Sequence, residues 1–131
     1  SRRIIKNYGL DSIFFVAGWI TGKKYDIIRS RCSIYVLHSK NEGLPAAMLE
    51  SMAFGLVPIV TPVGGIPEVI IPGQNGFFVD FSDSLSLSKA LSKLIEDDEL
   101  RNQISDSAKK SVVDYDIESY KGKLVRIYGS L

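Results

Sequence analysis

The chain has 131 residues, of which 45% are apolar, and its formal net charge is +1. This composition indicates one globular domain and gives no case for nucleic acid binding or for a polybasic membrane surface. No apolar run approaches a membrane span, and the single cysteine excludes an internal disulfide and fits a reducing compartment, so we expect a cytoplasmic protein.

The first part of the chain predicts a helix end followed by a strand. Arg2–Tyr8 is predicted to be the last turns of a helix that Gly9 ends. Because a protein rarely begins inside a helix, this start leads us to expect a missing N-terminal portion. The apolar run Ile13–Val16 predicts a buried strand.

A helix and a second strand are predicted next. Lys23–Arg31 is predicted to be helical, with Tyr25, Ile27 and Ile28 on its inner face. Cys32 is interpreted as a small packing residue before the strand Ser33–Leu37. The loop that follows, with His38, Ser39 and Lys40, lies at the carboxyl end of this strand, where ligands bind in open α/β sheets.

The stretch from Ser39 to Val60 predicts a loop, a helix and a strand. Pro45 suits the first helical turn, because its missing N–H costs nothing there. An apolar stripe at helical spacing is predicted to pack on a sheet: Leu49, Met52, Ala53 and Leu56. Glu50 points off that stripe, about 6 Å along the axis from Ala46.

Two carboxylates bracket the start of this helix, Glu42 in the loop and Glu50 eight positions later. Free N–H groups near Leu44, Ala46 and Ala47 suit a phosphate, and each carboxylate can accept hydrogen bonds from a diol. A diol, a phosphate and a second diol in a row describe a sugar nucleotide. The alternative is that Glu42 only favours the helix dipole and Glu50 is a solvated helix residue.

The rest of the chain alternates strands and helices. Val57–Val60 and Phe77–Val79 are predicted strands. Between them Gly64 and Gly65 allow close approach of the backbone to a ligand, and Glu68 has two open interpretations, loop capping or substrate contact. Three amphipathic helices follow: one from Ser84 with Ser82 or Asp83 as its cap, one capped by Asp97–Asp98, and one over Ile117–Tyr128.

Several motifs together resemble the retaining nucleotide-sugar glycosyltransferases of the GT-B fold, family 4 (group 1). They are Glu42-Gly-Leu-Pro-x-x-x-Leu-Glu50-Ser-Met-Ala-x-Gly-x-x-Pro, Phe15-Val-Ala-Gly18, Gly64-Gly65-Ile-Pro-Glu68 and Asn75-Gly76-Phe-Phe-Val79. The similarity covers nearly the whole chain. It implies a Rossmann-like parallel sheet of about four strands flanked by helices, with a C-terminal helical segment, in the C-terminal half of a GT-B fold truncated at its N-terminus.

The resemblance also implies residue roles. Glu42 would contact the donor sugar as the catalytic carboxylate, and Glu50 would bind the ribose. The backbone of Gly43, Leu44, Pro45 and Ala46 would face the phosphates or the sugar. From the residues themselves, Ser39 is interpreted as a hydroxyl that either binds phosphate or anchors the loop, and Gly64 and Gly65 as substrate-binding positions. Gly18, Trp19 and Ile20 would border the nucleobase, where Trp19 either stacks on the base or covers the sheet's end. No metal and no cofactor is implied besides the nucleotide diphosphate sugar itself.

The family's acceptor domain, and an opening strand with an Arg and a Lys for the diphosphate, are expected to be missing. We therefore expect a donor-binding domain over residues 1–131 that transfers no sugar alone, and a glycan or lipid-linked acceptor held by the N-terminal domain. The complete hexosyltransferase would act in polysaccharide biosynthesis, either in the cytoplasm or as a peripheral protein at the membrane. The alternatives are a non-catalytic nucleotide-sugar-binding fragment and a sugar-nucleotide epimerase-like domain. We also expect Ile13–Val16 to pair with Ser33–Leu37, and self-association through exposed strand edges.

Overall fold

The computed structural model describes residues 2–115. Their centre is a parallel sheet of three strands in the order β1 (Ile34–Leu37), β2 (Val57–Val60) and β3 (Phe77–Phe78). All four residues of the central strand are buried. The predicted α/β class with a parallel, helix-flanked sheet is confirmed.

Five α-helices accompany the sheet in this part of the chain. They are α1 (Arg2–Asn7), α2 (Lys23–Arg29), α3 (Ala46–Ala53), α4 (Ser84–Glu96) and α5 (Asp98–Ser111), with short 3-10 helices at Ile66–Glu68 and Val113–Tyr115. Each of these helices is too short or too polar to cross a lipid bilayer. The third predicted C-terminal helix, Ile117–Tyr128, lies outside the described residues.

Two apolar clusters cover the two faces of the sheet. On one face, Met48 and Met52 of α3 pack with Val60. On the other, Leu94 of α4 and Ile104 of α5 pack with strand residues of β2 that point the opposite way. Successive side chains of a strand alternate between the two faces of the sheet, so β2 contributes side chains to both clusters. The α3 helix is thereby pressed against the sheet with its first turn at the sheet's carboxyl edge.

Local start signals are confirmed for α4 and α5. The side chain of Asp83 accepts hydrogen bonds from the N–H groups of Leu85 and Ser86, and Asp97 caps α5 through the N–H of Leu100. These caps satisfy amides that have no partner inside the helix.

The predicted strand Ile13–Val16 is wrong. The segment is not in the sheet, and its Phe15 is 85% exposed. The expected pairing with Ser33–Leu37 is wrong too, because β1 is the outer strand of the described sheet and pairs only with β2. An apolar run shows that a segment can be buried, but burial also requires a surface to pack against. The described residues provide no such surface for this segment.

Two smaller expectations also fail. Ile27 and Ile28 are 54% and 37% exposed, so the inner face of α2 is formed by Arg29, which is buried, and by Tyr25, which is half-buried. Cys32 is exposed and is not a packing residue.

Candidate functional site

Two loops meet at the carboxyl edge of the sheet. The first, residues 38–45, follows β1, and the second, residues 61–65, follows β2. Thr61 is buried at their junction: its hydroxyl donates to the carbonyl of Ser39 at 2.6 Å and accepts from the Ser39 N–H at 3.2 Å. The N–H of Gly65 donates to the carbonyl of Gly43 at 2.9 Å. The sheet thus brings together two loops that are 22 residues apart at the Thr61–Ser39 bonds.

Gly64 makes the closest approach between these loops. Its φ of +58° lies in the left-handed region, and a Cβ there would stand 1.9 Å from the carbonyl oxygen of Glu42. Only glycine fits such a position without moving the neighbouring backbone. Gly64 and Gly65 therefore serve loop packing, and the ligand contact predicted for them remains a prediction.

The α3 helix starts directly after the first loop. Pro45 has an extended backbone and occupies the N-cap, one residue before the helical position predicted for it. Among the described residues, the N–H groups of Gly43, Leu44, Ala46 and Ala47 have no acceptor. Unbonded amides at a helix start form the positive end of the helix dipole, so this junction is suited to an anion.

Glu50, one turn further along α3, is held by an arginine. Its Oε2 accepts from Nη1 of Arg29 at 2.6 Å, and Asp26 binds the same guanidinium through Nη2 at 2.5 Å. The guanidinium also lies 4.2 Å from the ring centroid of Tyr25 and 4.7 Å from that of Phe54. Burial acts to lower the pKa of Arg29, but the hydrogen bonds to Asp26 and Glu50 outweigh it and raise the pKa.

Arg29 was not identified as a functional residue from the sequence. It stands at the end of α2, 21 residues before Glu50, and nothing in the local pattern distinguishes it from a solvated helix end. The nearest signal is the pair Tyr25 and Asp26, which precede Arg29 by one helical turn and place a ring and a carboxylate beside it.

Glu42 interacts electrostatically with Tyr35 of β1. Tyr35 of β1 packs against the Met48 cluster under α3. Burial, then the neighbouring Tyr25 and Glu42, raise the pKa of Tyr35 to about 12. The structure therefore brings Ser39 and residues 42–46 together with Gly64 and Gly65 at the carboxyl edge of the sheet, and Glu50 follows one turn along α3. A common cleft for the two carboxylates remains a prediction.

The residues predicted to border a base, Gly18, Trp19 and Ile20, belong to the segment before α2, and their contact with a base remains a prediction. Within residues 2–115, no hydrogen bond joins them to residues 39–46 or 61–65. Trp19 is 94% exposed, so it does not cover the end of the sheet. With Ile20 and with Ile27 and Ile28 of α2 it lines a separate cavity of about 660 Å³.

A second polar group flanks the carboxyl edge near β3. The ring of His38 stacks on Phe81 with centroids 4.7 Å apart, and its Nε2 lies 3.2 Å from the carbonyl oxygen of Asp80. The Nζ of Lys40 lies over the same Phe81 ring at 5.1 Å. Hydrogen bonds from Ser82 lower the pKa of the Asp80 carboxyl. Within residues 2–115, no group of three His, Cys, Asp or Glu side chains could hold a metal ion.

Comparison with known proteins gives one family. Residues 1–111 match the model described as "Glycosyl transferases group 1". The chain is 29% identical over 109 residues to N,N'-diacetylbacillosaminyl-diphospho-undecaprenol alpha-1,3-N-acetylgalactosaminyltransferase from Campylobacter jejuni, covering 82% of this chain and 29% of that protein. The chain thus spans less than a third of the length of this curated relative.

Two solved structures are similar in fold. The C-terminal domain of a glycosyl transferase group 1 family protein (LpcC) from Francisella tularensis has a TM-score of 0.78 and 30% identity, over 88% of this chain and 60% of that one. Anabaena Alr3699/HepE, crystallised in complex with UDP-glucose, has a TM-score of 0.86 over 99% of this chain and 36% of that one. At 21% identity the second likeness concerns the fold alone.

Proposed function

The chain belongs to the group 1 glycosyl transferases, and on that premise we propose that it forms the donor-binding domain of a retaining enzyme of family 4. The donor is a nucleotide diphosphate sugar. The observation that carries the proposal is the junction at the start of α3. Amides without an acceptor among the described residues lie there, in the stretch of chain between Glu42 and Glu50, and a second loop braces the first.

Each part of this junction matches one part of such a donor. The amides of Gly43, Leu44, Ala46 and Ala47 bind the diphosphate, Glu50 binds the ribose, and Glu42 contacts the transferred sugar. Amides aimed at the leaving diphosphate stabilise the charge that develops as the glycosidic bond breaks. The Anabaena protein, which shares the fold over 99% of this chain, was crystallised with UDP-glucose, a compound of this donor class.

Catalysis also needs an acceptor held in near-attack geometry. The curated relative is more than three times as long as the aligned region. We propose that the acceptor, a glycan or a lipid-linked glycan, binds outside residues 1–131, and that these residues alone bind the donor without steady transfer. Sustained turnover by residues 1–131 alone with any acceptor would contradict this.

Calorimetry with UDP, GDP, ADP and UDP-glucose tests the donor site. Glu50→Ala should weaken nucleotide binding by about 1.5–3 kcal/mol, the usual loss for a hydrogen bond to a charged acceptor. The matched control is Glu99→Ala, which removes an exposed carboxylate from the first turn of α5. Equal binding by the Glu50 and Glu99 variants, or binding of none of the four compounds by the wild type, would refute the proposal.

Kinetics in the complete enzyme separate the two carboxylates. Glu42→Ala should lower kcat more than it raises KM, because the proposed contact of Glu42 is with the transferred sugar. Glu50→Ala should act mainly on KM. Unchanged kinetics in both variants would remove both residues from the mechanism.

We also propose that copies of this chain associate through the outer edge of β1. That edge has no partner strand within residues 2–115, and Phe14 and Phe15 are 56% and 85% exposed. Unpaired edges and exposed aromatic side chains favour association. Sedimentation velocity over a concentration series should show a growing dimer fraction, and a single monomer species throughout would contradict it.

A further inference from the structure

The ion pair between Arg29 and Glu50 has a use in donor recognition. We propose that Arg29 is a positioning residue: it holds Oε2 of Glu50 and leaves Oε1 to accept a hydrogen bond from a ribose hydroxyl. This inference rests on the proposed donor site, in which Glu50 binds the ribose. It adds a residue from α2 that the motif on α3 does not contain.

Arg29 is fixed from four directions. Its side chain is 9% exposed, and its two terminal nitrogens bind Asp26 and Glu50. Its planar group lies over the rings of Tyr25 and Phe54, a contact that favours a cation. A guanidinium so enclosed has few alternative rotamers, so the carboxylate that it binds is restrained as well.

Glu50 is restrained on one side only. Its side chain remains 54% exposed, and Oε1 has no hydrogen-bond partner in the described part of the chain. A carboxylate with one oxygen anchored and the other open presents a single acceptor in a defined direction. Such preorganisation spares a ligand the cost of ordering the side chain.

A direct role for Arg29 in holding the diphosphate does not fit this geometry. Both terminal nitrogens are engaged by carboxylates, and aromatic rings flank the guanidinium. The third nitrogen, Nε, is buried and has no hydrogen-bond partner within residues 2–115. The positive charge is therefore used inside the protein, and its effect on a ligand passes through Glu50.

The test compares each nucleotide with its form lacking the ribose hydroxyls. Calorimetry would use UDP, GDP and ADP and their 2′,3′-dideoxy counterparts, and the ratio of the two Kd values measures the preference for ribose. Loss of a hydrogen bond to a charged acceptor predicts a wild-type preference of about tenfold to a hundredfold. Arg29→Met should reduce that preference at least about fivefold, with Arg29→Lys between the two because lysine keeps the charge but not the fork.

Two further variants make the result specific. Tyr25→Phe keeps the stacking ring and should leave the preference unchanged, which makes it the matched control. Glu50→Gln should lose most of the preference, and adding Arg29→Met to it should change the ratio little, because Arg29 acts through Glu50. If Arg29→Met does not fold by circular dichroism, Arg29→Lys carries the test: it keeps the positive charge and removes the planar fork that binds Asp26 and Glu50 together.

The outcomes separate this inference from the proposed function. Wild-type protein that binds none of these nucleotides overturns the donor site, and the positioning role with it. A wild-type ribose preference that stays unchanged in Arg29→Met, or in Arg29→Lys if Arg29→Met does not fold, overturns only the positioning role. A preference that falls in these variants and is preserved in Tyr25→Phe supports it.

Discussion

Replacing Gly64 by alanine should separate the two loops at the carboxyl edge of the sheet. The new Cβ would stand 1.9 Å from the carbonyl oxygen of Glu42, whereas an ordinary contact begins at 3.4 Å. The backbone of the first loop would have to move to make room. That movement strains the hydrogen bond from Gly65 to the carbonyl of Gly43, now 2.9 Å long.

Two terms set the size of the effect on the free energy of unfolding. A left-handed backbone costs a residue with a Cβ about 1–2 kcal/mol. Forcing an extra carbon into a packed contact costs about 1–3 kcal/mol. Gly64→Ala should therefore lower the stability by about 2–5 kcal/mol.

Gly73→Ala is the matched control. Gly73 also has a positive φ, +78°, but a Cβ there would meet nothing within 4 Å. This variant carries the backbone strain without the collision and should lose only about 1–2 kcal/mol. The difference between the two variants isolates the contact between the loops.

Urea unfolding followed by far-UV circular dichroism provides the measurement. Fluorescence is less suitable, because Trp19 is already 94% exposed in the folded chain. If the two variants differ by less than about 0.5 kcal/mol, the close packing of Gly64 on Glu42 is refuted. Nucleotide binding should weaken in Gly64→Ala and stay unchanged in Gly73→Ala.

Three other predictions concern groups that the fold holds in place. The pKa of Tyr35 is raised from 10.0 to about 12, so its contribution to stability is fully present below pH 10.0 and is lost as the pH rises towards about 12; alkaline unfolding curves of Tyr35→Phe should lack this loss. Thr61→Val leaves the N–H and carbonyl of Ser39 without their partner and should cost about 1–3 kcal/mol in urea unfolding, whereas an unchanged midpoint would show that the hydroxyl contributes nothing. Asn75→Leu removes hydrogen bonds to Ile71, Val69 and Ser111 and should cost about 3 kcal/mol, and a thermal midpoint within a degree of wild type would contradict that.

The sequence predicted those features that depend on near neighbours. The caps Asp83 and Asp97 act on amides two or three residues away, so their types and positions are sufficient. The order of helix and strand around Glu50 follows from an apolar period and from Gly55, whose φ of +84° lies just beyond the end of α3; Pro58, also predicted to end the helix, lies inside β2. The family resemblance rests on the same stretch of chain.

Contacts between distant residues could not be predicted in this way. Ile13–Val16 has the composition of a buried strand, but its pairing depends on a neighbouring strand that local pattern does not specify. Arg29 meets Glu50 and Phe54 only because α2 and α3 come together in the fold. The collision that makes Gly64 necessary depends on a carbonyl 22 residues earlier, at Glu42.

The bonds of Thr61 to Ser39 also bear on the kinetics of ligand capture. Both loops are tied to each other and to the strand ends within the folded chain itself. A ligand arriving at the start of α3 therefore meets a surface whose shape is already set, and association does not have to wait for a loop to close. Affinity at this surface would then be tuned by how slowly the ligand leaves, and variants of the contacting side chains would differ in residence time while their association rates stayed nearly equal.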